Sequence, residues 1–185
     1  MRTVIYIDGF NFYYGAVKDT PFKWLDLKQL CEVILKPKHQ IISIVYCTAR
    51  VKPKPGDPGV RARQAIYLKA LKAHIPETKI IYGHFLETIL LCRPVNPVLG
   101  KFVEVIRSEE KGSDVNLAVH MINDAWKNEF DCAIVISNDS DLAEAMRIVK
   151  DECGKVVGLF TPWRRHAELM SNLVYDRHWF RRPSC

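Results

Sequence analysis

The sequence predicts an α/β fold, a three-layer α/β/α sandwich with a mainly parallel central sheet. Short apolar runs rich in β-branched residues alternate along the chain with longer segments of helical periodicity. The runs are apolar throughout rather than alternately polar, as in strands that are covered on both faces. At 185 residues and 48% hydrophobic content, the chain can bury one substantial core, so we expect a single domain over residues 1–185.

The first half of the chain predicts two strands and three helices. Residues 4–7 form a buried strand, and a short helix follows over about 10–17. Asp26 can cap a helix that runs through Leu35. Residues 41–47 form the second strand. The Pro- and Gly-rich segment after it is a loop, and a helix follows over about 59–74.

The second half predicts a hairpin and a return to alternating elements. Strands are expected over 79–82, 85–91 and 102–107, the last paired with the segment before it. A helix over 113–128 follows, and its apolar side is assigned to Val115, Val119, Ile122 and Trp126. Strands over 133–137 and 156–160 flank a helix over 140–152. Residues 163–185 are expected to hold a short helix, a strand near Leu173 to Tyr175 and a basic tail.

Composition limits the function without fixing it. The formal net charge of +6 favours a polyanionic partner, although only weakly. The six cysteines show no CxxC spacing, and several lie in apolar patterns, as buried reduced thiols do. No apolar run approaches the ~20 residues that span a bilayer. We therefore expect a cytoplasmic protein without a structural zinc site or a membrane partner.

Acidic residues follow the ends of two predicted strands. Asp8 follows the first strand, and Asp139 and Asp141 follow the strand over 133–137. The carboxyl ends of parallel strands meet at one edge of a sheet, where ligands bind. Asp114 opens the preceding helix, whose N-terminus a right-handed crossover brings to the same edge. Asn11, in the turn after Asp8, points to the same place.

Each acid also has an ordinary structural explanation, as a helix cap, as a charge that complements the helix dipole or as a strand end. As a group, however, the acids repel one another unless a cation compensates. Hard divalent cations prefer oxygen ligands. The group therefore predicts a Mg²⁺ or Mn²⁺ site, whose usual chemistry is phosphodiester hydrolysis by metal-activated water.

Other acid- or phosphate-based sites fit less well. A dehalogenase-type phosphatase needs a second Asp two residues after Asp8, where Phe10 stands, and no GxGxxG or GxxxxGK[ST] motif follows the first strand.

Three segments together carry a family resemblance: "YIDGFNFYYG", "EEKGSDVNLAVHMINDA" and "AIVISNDSDLAEAMRIVKDECGKVVGLF". In register they cover about residues 3–162, and they resemble the LabA-like branch of the NYN-domain family, within the PIN-like nucleases. The resemblance implies a PIN-like, Rossmann-like sandwich and an acidic, metal-dependent ribonuclease centre. It implies a catalytic set of Asp8, Asn11, Asp114, Asp139 and Asp141, in which the four aspartates bind the metal.

The candidate substrate-binding residues are basic, aromatic or part of the acidic turn. They are Ser137, Asn138, Lys111, the basic loop residues Arg50, Lys52, Lys54, Arg61 and Arg63, and the segment Trp163, Arg164 and Arg165. Asn138 replaces the glycine that is usual in the family, and asparagine tolerates a left-handed backbone. Tyr13 and Tyr14 are expected to pack rather than to bind bases.

The leading hypothesis is a Mg²⁺- or Mn²⁺-dependent ribonuclease that acts on single-stranded or loop RNA. In it, Asp141 either binds the metal or orients water, and Asn11 positions a phosphate or a ligand carboxylate. The alternative is a non-catalytic nucleic-acid or protein-interaction module that retains the metal site.

Overall fold

A computed structural model describes residues 1–53, 55–96 and 101–162, and these contain one six-stranded sheet. The strands are β1 (Arg2–Asp8), β2 (Gln40–Ala49), β3 (Thr78–Cys92), β4 (Val103–Lys111), β5 (Cys132–Ile136) and β6 (Val156–Phe160). Their order is β4-β3-β2-β1-β5-β6, with antiparallel pairing only between β3 and β4. Because β1 lies between β2 and β5, its carboxyl end is the point where the chain changes direction across the sheet.

Five α-helices connect these strands in the described part of the chain. They are α1 (Gly9–Phe12), α2 (Leu27–Ile34), α3 (Val60–His74), α4 (Ser113–Trp126) and α5 (Ala143–Arg147). Wider π-helical turns extend α1 over Tyr13–Val17 and α5 over Ile148–Glu152, and a 3₁₀ turn over Ser140–Leu142 precedes α5. The Asp26 side chain accepts a 2.9 Å hydrogen bond from the Gln29 backbone N–H, so it caps α2 as predicted.

The sheet is buried on both faces, which explains why its strands are apolar throughout. Val4 and Tyr6 face the side covered by α4 and α5. Ile5 and Ile7 face the opposite side, which α2 and α3 cover. Burying each such aliphatic side chain contributes about 1.5–3 kcal/mol, so both layers are needed. This arrangement confirms the predicted three-layer α/β sandwich.

Strand β3 is continuous, although two strands over 79–82 and 85–91 were expected. It pairs in parallel with β2 up to Gly83 and then antiparallel with β4 from His84. A Cβ atom at Gly83 would lie 2.5 Å from the Lys111 carbonyl oxygen and 3.0 Å from the Ser113 nitrogen. Gly83 therefore marks a close backbone approach rather than a strand break, and it lets the start of α4 reach the sheet.

Helix α4 packs through a different face from the one predicted. Val115, Val119 and Trp126 are exposed, and Ile122 is only partly buried. The face against the sheet is formed by Ser113, Leu117, Met121 and Ala125. The predicted and the observed set of residues both repeat with helical spacing. The periodicity of the sequence alone therefore does not identify which set is buried.

The cysteines that the structure describes are all free, and Cys31, Cys47 and Cys132 are buried. Within the described ranges, no helix is both long and apolar enough to cross a bilayer. The helix and strand expected after residue 162 lie outside these ranges, so a domain over residues 1–185 stays a prediction.

Candidate active site

Asp8 lies at the carboxyl end of the central strand and is buried. One of its carboxylate oxygens accepts a 3.0 Å hydrogen bond from the Asn11 backbone N–H, so Asp8 also caps α1. The other oxygen accepts a 3.0 Å hydrogen bond from the Ser137 hydroxyl. Burial raises the pKa of the Asp8 carboxyl, and these hydrogen bonds act in the opposite direction. The carboxylate is therefore held in one orientation.

The loop after β5 is tied to the same point. The Ser137 hydroxyl accepts a 3.0 Å hydrogen bond from the Asp139 backbone N–H while it donates to Asp8. The Asn11 side-chain oxygen accepts a 3.1 Å hydrogen bond from the Asn138 backbone N–H. Ser137 and Asn11 thus fasten the ends of β1 and β5 together.

The structure places Ser137 and Asn138 in the loop framework. Ser137 is fully buried, so its hydroxyl positions Asp8 and Asp139 rather than facing a ligand. Asn138 does not use the left-handed conformation that its place in the motif suggested: Asn128 is the residue other than glycine with a positive φ in the described ranges. The Asn11 hydrogen bond shapes this turn, so neither Gly nor a left-handed Asn is required.

Asp114 lies in the first turn of α4 and is partly buried. Burial, followed by the charges of Asp8, Asp139, Glu110 and Asp141, raises its pKa from 3.8 to about 7. The predicted aspartates are therefore near enough to repel one another through the protein. Asp139 in turn accepts a 3.0 Å hydrogen bond from the exposed Asp141 backbone N–H.

A cavity of about 580 Å³ opens in front of these residues, and we call it the acidic cavity. Its carboxylates are Asp8, Glu87, Glu110, Asp114 and Asp139, its aromatic residues are Phe10, Tyr14 and Phe85, and Asn11 and Lys52 also line it. Asp141 stands outside this lining. The structure thus brings Asp8, Asp114 and Asp139 together with Asn11 at the edge where β1 and β5 end, as the sequence predicted, and their catalytic role stays a prediction.

Glu110 is a site residue that the sequence argument missed. Its carboxylate accepts hydrogen bonds from the Ser113 backbone N–H at 3.1 Å and the Ser113 hydroxyl at 2.6 Å, which holds the start of α4. It also contributes to the raised pKa of Asp114. Glu110 lies inside the quoted segment "EEKGSD", four residues before Asp114, and an acid so close to a helix start was the available signal.

The oxygen-only donor set fits a hard cation such as Mg²⁺ or Mn²⁺. The raised pKa of Asp114 reflects burial first and then the negative charge of its neighbours, which a cation would offset. Among the described residues, however, no three histidine, cysteine, aspartate or glutamate side chains are arranged to hold one ion. Magnesium commonly uses one or two carboxylates, and water and substrate phosphate complete its shell. The assignment of Asp8, Asp114, Asp139 and Asp141 as four ligands stays a prediction.

The predicted basic residues are spread over several partners. Lys52 lines the acidic cavity and pairs with Glu87 at 3.1 Å. The Arg50 guanidinium lies 5.0 Å from the centre of the Tyr82 ring, and Lys111 pairs with Glu109 at 3.0 Å. Arg63 pairs with Asp57 at 2.5 Å. Lys54, Trp163, Arg164 and Arg165 lie outside the described residues, as do their predicted contacts.

Tyr13 and Tyr14 lie at the surface, with 38% and 44% of their surface exposed. Tyr14 lines the acidic cavity and stacks against Phe10 with ring centres 6.5 Å apart. The helical turn that carries them buries Phe12 and Val17 instead, which leaves the tyrosines at the surface. That they pack rather than bind bases stays a prediction, and their ring contacts with each other and with Phe10 are in line with it.

Comparisons with known proteins give one family, one relative and one structural neighbour. A family model described as NYN domain matches residues 2–175. The 6-hydroxy-3-succinoylpyridine 3-monooxygenase HspA of Pseudomonas putida is 31% identical over 206 aligned positions; the match covers 98% of this chain and 66% of that protein. A crystal structure of a protein of unknown function from Vibrio parahaemolyticus matches with a TM-score of 0.58 and 14% identity, over 97% of this chain and 95% of that one.

Proposed function

Because the chain belongs to the NYN domain family, we propose that it is a metal-dependent ribonuclease of the LabA-like, PIN-like type, which hydrolyses RNA phosphodiester bonds. The observation that carries this proposal is the acidic cavity, which several carboxylates line together and where burial, followed by the neighbouring charges, raises the pKa of Asp114 to about 7. Like charges are kept this close at functional sites more often than elsewhere. We place this activity in the cytoplasm, in line with the free cysteines.

Asp8, Asp114 and Asp139 are the proposed holders of a Mg²⁺ or Mn²⁺ ion, and Asp141 either joins them or orients water. When bound, the ion supplies an activated water and polarises the phosphate. Ser137 and Asn11 keep Asp8 and the Asp139 loop in place through the hydrogen bonds described above. Asp114, with a pKa of about 7, can hold a proton near neutral pH until a cation replaces it.

The surroundings of the cavity suit a single RNA strand. Lys52 lies at the wall and Arg50 lies on the same loop, so both can approach phosphates. Phe10, Tyr14 and Phe85 offer ring surfaces on which unpaired bases can stack. We therefore propose that single-stranded or loop RNA is the substrate.

A binding module that does not cleave is the second candidate, since no three-ligand metal group is preformed in the described ranges. The monooxygenase name of the relative in Pseudomonas putida describes that protein. The carboxylates that line the acidic cavity of this chain are the ligand type that metal-assisted hydrolysis uses.

The test is cleavage of end-labelled single-stranded RNA in Mn²⁺, with and without EDTA. Wild type should cleave only without chelator, and Asp139→Asn should lower the rate by orders of magnitude. Asp151→Asn is the matched control, because Asp151 is an exposed acid in the last helical turn after α5. RNA binding without cleavage by wild type would favour the binding module. If Asp139→Asn bound and cleaved RNA as well as wild type does, the candidate site would be rejected.

A further inference from the structure

A second cavity, of about 200 Å³, opens next to the acidic cavity, and we call it the aromatic cavity. Its aromatic residues are Phe10, Phe12, Tyr13, Tyr14, Trp24, Tyr46 and Tyr67. Phe10, Tyr14 and Val51 line both cavities, so the two are adjacent. A chain whose phosphate occupies the acidic cavity can therefore place a neighbouring group in the aromatic one.

Three of these rings, those of Tyr13, Tyr14 and Trp24, are exposed and can meet a ligand. Trp24 is 61% exposed, and its ring centre lies 6.0 Å from that of Tyr67 in an edge-to-face arrangement. Tyr13 meets Tyr14 at 5.3 Å in the same way. The Tyr67 hydroxyl donates to the Leu25 carbonyl oxygen at 3.2 Å, so this residue presents its ring rather than its hydroxyl to the cavity.

A buried hydroxyl also belongs to the wall of the cavity. Thr48, on β2, is 2% exposed and lines the cavity, and a threonine hydroxyl can both donate and accept. The Gln64 amide, by contrast, is occupied by the Val51 N–H at 3.0 Å and the Ala49 carbonyl oxygen at 2.8 Å. The site thus combines flat ring surfaces with the Thr48 hydroxyl, which matches the face and edge of a heterocyclic base.

We propose that the aromatic cavity is a nucleobase-binding subsite, which holds one base of an RNA strand beside the phosphate in the acidic cavity. The inference rests on the proposed function for the position of that phosphate. Pockets that bury drug-sized ligands have volumes of about 300–1,000 Å³, so this smaller cavity suits a single base rather than a dinucleotide. Stacking of a base on such rings typically changes affinity by about 5- to 150-fold.

The experiment measures binding in EDTA, so that it does not depend on cleavage. The probes are a labelled single-stranded RNA hexamer and hexamers in which one position at a time is abasic. Wild type should bind one abasic hexamer about 5- to 150-fold more weakly than the intact hexamer. The double variant Tyr13→Ala with Trp24→Ala should bind the intact hexamer as weakly as wild type binds that abasic one.

Trp126→Ala is the matched control, because Trp126 is 64% exposed and lies on α4, outside both cavities. It should leave every affinity unchanged. Thr48→Val keeps the side-chain shape, so its melting temperature should equal or exceed that of wild type, while its affinity falls for the intact hexamer only.

Equal affinities of wild type for all the hexamers, or an unchanged affinity in the Tyr13 and Trp24 double variant, would overturn the base subsite. Neither result would affect cleavage in Mn²⁺. Conversely, base-dependent binding without any cleavage would retain the subsite and reject the ribonuclease.

Discussion

At the scale of single residues, Ser137 is the connection on which the arrangement of the acids depends. Its buried hydroxyl donates to Asp8 and accepts from the Asp139 N–H, so one atom fixes a carboxylate on β1 and a backbone on the loop after β5. A buried carboxylate that loses a donor keeps its desolvation cost without compensation. The order of the site therefore rests on a residue that does not face the cavity.

Replacement of Ser137 by Ala should destabilise the protein by about 1–3 kcal/mol, because Asp8 and the Asp139 N–H both lose a buried partner. Urea denaturation followed by circular dichroism measures this change. Ser140→Ala is the control, since Ser140 is exposed, and it should shift the unfolding free energy by less than about 0.5 kcal/mol. If Ser137→Ala changed the unfolding free energy as little as Ser140→Ala, the Ser137 hydroxyl would be dispensable for stability.

Asp114 should give the metal-free protein a characteristic pH dependence. Its folded-state pKa of about 7 exceeds the ordinary 3.8, so the native state binds the proton more tightly than the unfolded state. The unfolding free energy contributed by Asp114 is thus fully present below about pH 4 and is lost as the pH rises towards 7. In EDTA, Asp114→Asn should flatten this decline and melt at the same or a higher temperature than wild type near pH 8.

The loss of a charge near the helix N-terminus acts in the opposite direction, by about 0.3–1 kcal/mol, which several repelling neighbours should outweigh. Added Mn²⁺ should raise the melting temperature of wild type more than that of Asp114→Asn. Thermal melts from about pH 5 to 8, with Asp151→Asn as control, supply the comparison. A less stable Asp114→Asn with a full Mn²⁺ response would mean that Asp114 serves the helix and binds no metal.

At the scale of elements, the sequence specified where helices and strands lie better than which sides they bury. Asp26 and the apolar spacing located α2, and β-branched runs located β1, β2, β5 and β6. The buried side of α4 was missed because two stripes share the helical period. The change of pairing partner within β3, from β2 to β4, was also missed. In the sequence, Gly83 indicates a strand break, and only the structure shows that the backbone of Lys111 and Ser113 comes close to it.

The corrected face of α4 can be tested directly. Met121→Ala should cost about 2–5 kcal/mol of unfolding free energy, because Met121 is fully buried between α4 and the sheet. Val119→Ala, two residues earlier and exposed, should cost less than about 0.5 kcal/mol. Chemical denaturation of both variants measures the two changes in unfolding free energy. A larger loss for Val119→Ala than for Met121→Ala would mean that α4 buries the face predicted from the sequence.

The candidate site shows a similar division. Asp8 and Asp139 followed from strand ends, since parallel strands bring their carboxyl ends together whatever the details of packing, and Asp114 followed from the helix start that a right-handed crossover brings to the same edge. The aromatic cavity could not be foreseen, because Tyr13, Trp24, Thr48 and Tyr67 come from four separate segments that meet only after the layers have packed. The spacing of residues along the sequence does not indicate that these four segments come together in the folded protein.

At the scale of the whole molecule, the net charge of +6 coexists with a strongly acidic cavity, so attraction of RNA must come from around the cavity. Arg50 and Lys52 are the described cations nearest to this role, and both already have protein partners in Tyr82 and Glu87. Binding of RNA therefore exchanges local contacts for phosphate contacts and releases counterions.

The double variant Arg50→Ala with Lys52→Ala should reduce the slope of log K against log salt by about 1.4 for single-stranded RNA, at about 0.7 for each phosphate contact. Fluorescence anisotropy at several salt concentrations in EDTA measures the slope. Lys36→Ala with Lys127→Ala removes the same charge from the end of α2 and the end of α4 and should leave the slope unchanged. Equal slopes in both double variants would remove the Arg50 loop from the RNA-binding surface.

The position of β1 in the middle of the sheet has a consequence for synthesis of the protein. Asp8, at the end of β1, and Ser137, just after β5, are 129 residues apart. The ribosome therefore synthesises β1 long before β5, its neighbour on one edge, exists. At about 5–20 residues per second, this delay is on the order of ten seconds. During that time a flat, apolar strand edge stays unpaired, which is the surface on which nascent chains aggregate and to which chaperones bind. The edge of β1 that lies at the centre of the finished sheet is thus unprotected until β5 has been made.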